Sequence, residues 1–206
     1  MTTLLQKFSL AGPAGNLDGI AHVPAKPPRA IAVVVHPLPT MGGTMENKVA
    51  VMLARTFAEL GCVVLRFNLR GVGASEGEYT GGDGETEDLI AVVHYAQAQF
   101  GEELPLLLSG FSFGGYIAAR AAQLLKPQHL VLAAPAVGRF AMPAVSPDTL
   151  VIHGEHDDVV PLADVLAWAR PQHLPIVVLP QAAHFFHGRL TQLNDIVKRH
   201  FTGVEL

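Results

Sequence analysis

The sequence predicts a doubly wound α/β protein, in which a mostly parallel sheet lies between helices and an antiparallel hairpin precedes it at the N-terminus. Three observations predict this class. Six apolar runs of four to six residues, rich in Val, Ile and Leu, show no polar alternation, which is the pattern of strands covered on both faces. Stretches of helical spacing alternate with these runs, the signature of a sheet wound with right-handed crossovers. Hydrophobic residues make up 50% of the chain and charged residues 16%, well below the roughly 25% charged of an average soluble protein. A large core must therefore be buried centrally.

Taken in order, Phe8-Ser-Leu-Ala, the turn residues Gly12-Pro-Ala-Gly-Asn16 and the segment 17–23 read as a hairpin at the sheet's edge. The apolar runs at 31–35, 62–65, 104–108, 130–134, 149–152 and 175–179 read as central parallel strands. Helical spacing covers 48–60, 85–100, 113–125, 162–169 and 189–201. Pro and Gly cluster at strand ends, and no repeat, low-complexity tract or linker interrupts the rhythm. Residues 1–206 read as a single domain, long enough for one sizeable core.

Composition narrows the partners. A net charge of −4 and a pI near 6.2 supply no basic stripe for a phosphate backbone, so nucleic acid is not expected. Lys7 interrupts the N-terminal segment where a signal peptide would be apolar, and no apolar stretch approaches the roughly 18 residues of a membrane span. A soluble, cytoplasmic protein is expected, with no membrane partner and with self-association into a homo-oligomer left open. The single cysteine, Cys62, cannot form an intramolecular disulfide and reads as a small buried hydrophobe at a strand start.

The chemistry is carried by Gly110-Phe111-Ser112-Phe113-Gly114, which follows a strand and opens a helix. That context makes a G-x-S-x-G match specific: the serine sits on a sharp, strained turn with its hydroxyl at the carboxyl end of the sheet. Small residues Ala118, Ala119, Ala121 and Ala122 let the helix lie close to the sheet. The N–H of Phe113, at the helix N-terminus, is the natural first donor to an oxyanion.

A serine hydroxyl needs a base, and the base needs a carboxylate to hold its tautomer. In this strand-turn-helix context the partners follow in the order Ser, Asp, His. After the strand at 149–152 comes His153-Gly-Glu-His-Asp-Asp-Val-Val-Pro161, where Asp157 is the candidate acid and Asp158 its rival. The loop Pro180-Gln-Ala-Ala-His-Phe-Phe-His-Gly188 holds His184 as candidate base, with His187 as the alternative nearer the last helix. The same histidines and aspartates could be read as metal ligands, but no His-Glu-x-x-His helix is present and one triad explains both loops. No metal or cofactor is called for.

After the first central strand, His36-Pro-Leu-Pro-Thr-Met-Gly-Gly43 occupies the place where a second oxyanion donor is supplied. Pro37 and Pro39 have no N–H, which leaves Leu38 as the candidate between them. Arg70 and Ser75, in the turn-rich segment after residue 67, read as residues that bond the surrounding loops together rather than as substrate contacts.

With these segments assembled, the chain resembles the small α/β hydrolases of the dienelactone-hydrolase-like group, in particular a bacterial serine-esterase branch. The likeness spans nearly the whole chain through His36-Pro-Leu-Pro, Gly42-Gly-Thr-Met-Glu-Asn-Lys-Val, Arg66-Phe-Asn-Leu-Arg-Gly-Val-Gly-Ala-Ser-Glu-Gly, Gly110-Phe-Ser-Phe-Gly-Gly, the Asp157 loop and Ala183-His-Phe-Phe-His-Gly. The resemblance implies the α/β-hydrolase fold and places the acid three residues after the post-strand glycine, on Asp157. Dienelactone hydrolases carry cysteine at the elbow, so serine here implies a general esterase, with thioester or amide hydrolysis, or a non-catalytic binding protein of the same fold, as the alternatives. Only residues 135–148 separate two strands where many relatives insert a helical cap. The resemblance thus implies a cap-less fold with an open, shallow cleft for small or short-chain esters, one wall of which Phe140, Met142 and Val145 could form.

Overall fold

A computed structural model describes residues 3–204; Met1, Thr2, Glu205 and Leu206, including the start of the N-terminal segment, lie outside the described residues. One eight-stranded sheet organises the molecule. Its strands are β1 (Thr3–Gly12), β2 (Gly15–Pro24), β3 (Ile31–Val35), β4 (Val63–Phe67), β5 (Leu106–Phe111), β6 (His129–Ala133), β7 (Leu150–Gly154) and β8 (Ile176–Leu179). Their spatial order is β1-β2-β4-β3-β5-β6-β7-β8. β1 and β2 form an antiparallel hairpin, β2 meets β4 antiparallel, and all further pairings are parallel.

The absence of polar alternation has its cause in two separate cores. Ile31, Val33 and Val35 of β3 face one of them while Ala32 and Val34 face the other, so successive side chains on opposite faces are all buried. Helices α2 (Asp83–Phe100), α3 (Phe113–Leu125) and α4 (Leu162–Ala169) cover the first face with Leu89, Val92, Ile117, Ala121 and Val165. Helices α1 (Lys48–Glu59) and α5 (Leu190–His200) cover the second with Leu53, Phe57, Leu193 and Val197. Burying one Leu or Phe side chain contributes about 1.5–3 kcal/mol, and the two faces share this load.

Local differences from the expected elements have physical reasons. The run at 175–179 forms the edge strand β8, with Val177 and Val178 each 36% exposed, rather than a central strand. An apolar run alone does not say whether a further strand lies beyond it. Helix α2 starts at Asp83, before the expected residue 85, because buried Glu85 reaches back to accept from Gly82 N–H at 2.7 Å and Thr80 N–H at 2.8 Å. Strand β5 runs on through Ser109, Gly110 and Phe111, carrying the chain directly to residue 112.

Residues 134–149, between β6 and β7, contain no helix. They are strapped down at several points: Gln123 Nε2 donates to Ala144 O at 2.9 Å, Trp168 Nε1 to Pro143 O at 3.1 Å, and Val145 N–H to Gln172 Oε1 at 3.0 Å. Among the described residues, no helix is long and apolar enough to cross a membrane.

Candidate active site

The carboxyl ends of four strands converge on one point. At the end of β5, Ser112 takes φ 55° and ψ −116°, a conformation that a non-glycine residue adopts only under local constraint. The constraint is visible. Ser112 N–H donates to Ala133 O at 3.0 Å, and Ser112 O accepts from Gly115 N–H at 2.9 Å and Ala136 N–H at 3.2 Å. A Cβ on Gly110 would overlap the Gly114 carbonyl, and one on Gly114 would overlap that of Val35. Glycine at both positions is what lets the strand, the turn and the helix crowd together.

His184 and Asp157 arrive from the β8 and β7 loops. The Ser112 hydroxyl lies 3.0 Å from His184 Nε2, and His184 Nδ1 lies 2.8 Å from Asp157 Oδ2. An acceptor at Nδ1 means that this nitrogen carries the proton, leaving the Nε2 lone pair for the serine O–H. Asp157 Oδ1 accepts from the N–H groups of Val159 at 3.0 Å and Val160 at 2.7 Å. Burial is the largest influence on the Asp157 carboxyl and pushes its pKa up. The hydrogen bonds from His184 and Val160, with electrostatic attraction to the His184 and His153 rings, outweigh burial and hold the pKa below the usual carboxylate range.

The rivals stand elsewhere. Asp158 is exposed, and His187 is exposed, stacked on Phe185 and three residues short of α5. Arg70 binds Asp88 of α2 through Nε at 2.9 Å and Nη2 at 2.7 Å, and the Ser75 hydroxyl donates to Asn68 O at 2.7 Å. Both therefore tie loops together, away from Ser112. Cys62 is fully buried, and burial pushes its thiol up to about 12. Among the described residues, no group of three or more His, Cys, Asp or Glu is arranged to hold a metal ion.

Above Ser112 lies a cavity of about 350 Å³ lined by Pro37, Leu38, Met41, Gly43, Asn47, Phe113, Ala136, Arg139, Phe140, Val159 and Phe185 as well as Ser112 and His184. Leu38 N–H enters no backbone bond of the loop, and Phe113 N–H, at the first position of α3, has no intrahelical acceptor, so both remain available as donors. Of the expected apolar wall only Phe140 faces this cavity, its ring stacked on Tyr116 at 4.9 Å and tilted against Phe113 at 5.0 Å. Val145 lines a separate depression near Gln123, and Met142 packs toward the core. Arg139 and Phe185 escaped the sequence reading, because nothing in a loop sequence says which side chains reach a cleft.

The Leu38 loop is anchored by His36, which is fully buried. Its Nδ1–H donates to Pro37 O at 2.7 Å and its Nε2 accepts from Leu69 N–H at 3.1 Å. Burial depresses its pKa from 6.5 to about 4, against the opposing pull of the Pro37 carbonyl. The folded state therefore prefers the neutral ring, and the unfolded chain takes the proton first as pH falls. The stability contribution of His36 is complete above pH 6.5 and is lost between pH 6.5 and about 4, amounting to about 3 kcal/mol. His22, likewise depressed to about 4 chiefly by burial, titrates in the same window. Urea midpoints at several pH values should accordingly show a smaller acid loss in His36→Gln than in the wild type.

The family model described as serine aminopeptidase, S33 matches residues 26–147. The chain belongs to that hydrolase family. This S33 hydrolase is 38% identical to a Xanthomonas campestris protein described as an α/β serine hydrolase without lid, with 98% of this chain and 95% of that one covered at a TM-score of 0.90. An α/β serine hydrolase homologue from Coxiella burnetii is 36% identical, with 96% and 97% covered and a TM-score of 0.85. An uncharacterized Rickettsia prowazekii protein is 28% identical over 94% of this chain and 87% of its own length. The S33 hydrolase thus has the lidless α/β-hydrolase fold, with an antiparallel N-terminal hairpin at one end of the sheet.

Proposed function

We propose that the chain hydrolyses carboxylic esters of small or short-chain acyl groups through an acyl-enzyme on Ser112. The observation that carries this reading is the unbroken line from Ser112 Oγ through His184 to Asp157, opening into a cavity of about 350 Å³. Volumes near 300 Å³ lie at the small end of ligand pockets.

Each step balances. Ser112 Oγ bonds to the ester carbonyl carbon while its proton passes to His184 Nε2, and Asp157 stabilises the resulting imidazolium. The Phe113 and Leu38 N–H groups hold the oxyanion. Collapse breaks the carbon–oxygen bond to the alcohol, which leaves with the proton from His184. Water then attacks the acyl carbon, giving a proton to Nε2; the acid departs and Ser112 Oγ recovers that proton.

The family's description raises a second reading, release of N-terminal amino acids. An aminopeptidase must neutralise a substrate ammonium group, yet among the described residues lining the cavity the charged side chain is Arg139, and no carboxylate lines it. That wall favours esters over free peptide N-termini.

The test combines a fluorophosphonate probe, 4-nitrophenyl esters from acetate to palmitate, and alanine 4-nitroanilide. The expected result is one adduct on Ser112, kcat/KM greatest for acetate to butyrate, and negligible anilide cleavage. Absence of an adduct and of turnover would overturn the hydrolase reading, and a preference for palmitate would overturn the small-acyl assignment.

A further inference from the structure

One buried titratable side chain beside the site has no part in the steps above. His153, the penultimate residue of β7, is fully buried. Its Nε2 lies 2.8 Å from Val160 O and 3.4 Å from Asp157 Oδ2. Both neighbours are acceptors, so Nε2 carries the ring proton and donates it to the closer Val160 carbonyl. Burial, the largest influence, keeps the ring neutral by lowering its pKa, against the opposing effects of Val160 and Asp157.

Nδ1 is then a bare lone pair, and it has no partner among the described residues. A buried, unpaired acceptor costs about 1–3 kcal/mol, a penalty that an apolar side chain of similar size would avoid. An apolar side chain of similar size would fill this space as well, so packing alone does not call for imidazole. What it adds is the N–H at Nε2.

We propose that His153 is a positioning residue of the Ser112 site, whose Nε2–H holds the Val160 carbonyl and thereby keeps the Asp157 carboxylate turned toward His184. The inference rests on the reading of Asp157 as the acid of the triad. The path is short and continuous. His153 clamps the carbonyl of Val160, the N–H of Val160 bonds Asp157 Oδ1 at 2.7 Å, and Asp157 Oδ2 bonds His184 at 2.8 Å. Gly154 reinforces the arrangement, because a Cβ there would overlap the Ala182 carbonyl of the His184 loop. The ionisable groups acting on His153 are Asp157 and His184, while Glu155, His156 and Asp158 on the same loop are exposed.

Three variants test the assignment. His153→Leu removes the donor, His153→Asn is polar but too short to reach Val160, and His153→Gln places an amide N–H near the position of Nε2. Two readouts are used: kcat and KM for 4-nitrophenyl acetate, and the low-field proton resonance of His184 Nδ1–H, assigned by its loss in His184→Gln. In the Leu and Asn variants kcat should fall about tenfold with KM within about twofold, the size of loss met when a partner that orients a metal-binding histidine is removed. The low-field resonance should broaden or move upfield in both. His153→Gln should restore the resonance and bring kcat to within about threefold of wild type.

A wild-type resonance and kcat in folded His153→Leu overturn the proposal, as does a Gln variant as impaired as Leu. Should the Leu variant fail to fold, the Asn and Gln pair decides in the same way. Lack of ester turnover and of a Ser112 adduct in the wild type refutes the esterase reading instead, while the resonance still decides the role of His153.

Discussion

Replacing Ser112 with alanine is expected to lower kcat/KM for 4-nitrophenyl acetate by about ten-thousand-fold or more. That is about 5.5 kcal/mol of transition-state stabilisation. No other cavity side chain carries a hydroxyl or thiol: Cys62 is buried in the second core, and the rest of the cavity wall is apolar, amide, imidazole or guanidinium. Fold stability should hardly change, because alanine meets the same backbone constraint. Ser112→Gly separates the two roles of the residue. Glycine accepts φ 55° without a Cβ penalty, so this variant should be inactive yet more stable by about 1 kcal/mol. Thermal unfolding of the two variants beside the wild type checks both statements, and an unchanged kcat/KM in Ser112→Ala would remove the nucleophile assignment.

Asp157→Asn should be almost as damaging, with kcat reduced by about ten-thousand-fold through the wrong His184 tautomer. Asp158→Asn should leave kcat within about twofold, as expected for an exposed substitution that breaks no buried contact. The contrast is steep because the two residues are adjacent in sequence and opposite in environment. Asp157 accepts from Val159, Val160 and His184, while Asp158 faces water. Stability changes with pH as well. The folded pKa of Asp157 is depressed, so its contribution is present above the unfolded value near 3.9 and is lost as pH falls through the folded one. Asp157→Asn should flatten the urea-midpoint curve below about pH 4; the reverse outcome, damage from Asp158→Asn alone, would reassign the acid.

Much of the architecture was legible because burial on both faces leaves a simple trace. The runs at 31–35 and 149–152 could be read as strands since every position is apolar or small, and β3 and β7 fall there to within a residue or two. Residues 175–179 carried the same trace but became an edge, for which the chain holds no separate signal. The elbow was legible because its glycines answer a steric demand that other residues cannot meet. His153 and Arg139 were not. The role proposed for His153 depends on a bond to a carbonyl seven residues away, and the place of Arg139 depends on how residues 134–149 are strapped to α3 and α4. Neither the bond nor the straps leave a pattern in the sequence. Spacing alone did not separate Asp157 from Asp158; the resemblance placed the acid on Asp157, and the loop turns that carboxylate inward, where it bonds His184.

The strapped segment 134–149 also bears on control. Where a cap is present, an enzyme can wait closed and be admitted to work by whatever opens it. Here Met41 and Phe185 stand 79% and 44% exposed at the mouth of the cleft, and the neighbouring segment is bonded in place. The cleft stands open to solvent, so the shape and charge of its mouth, Arg139 included, bear on which substrates enter. On the esterase reading proposed above, an ester meets Ser112 across a cleft that no cap covers, and the side chains at its mouth are what it must pass.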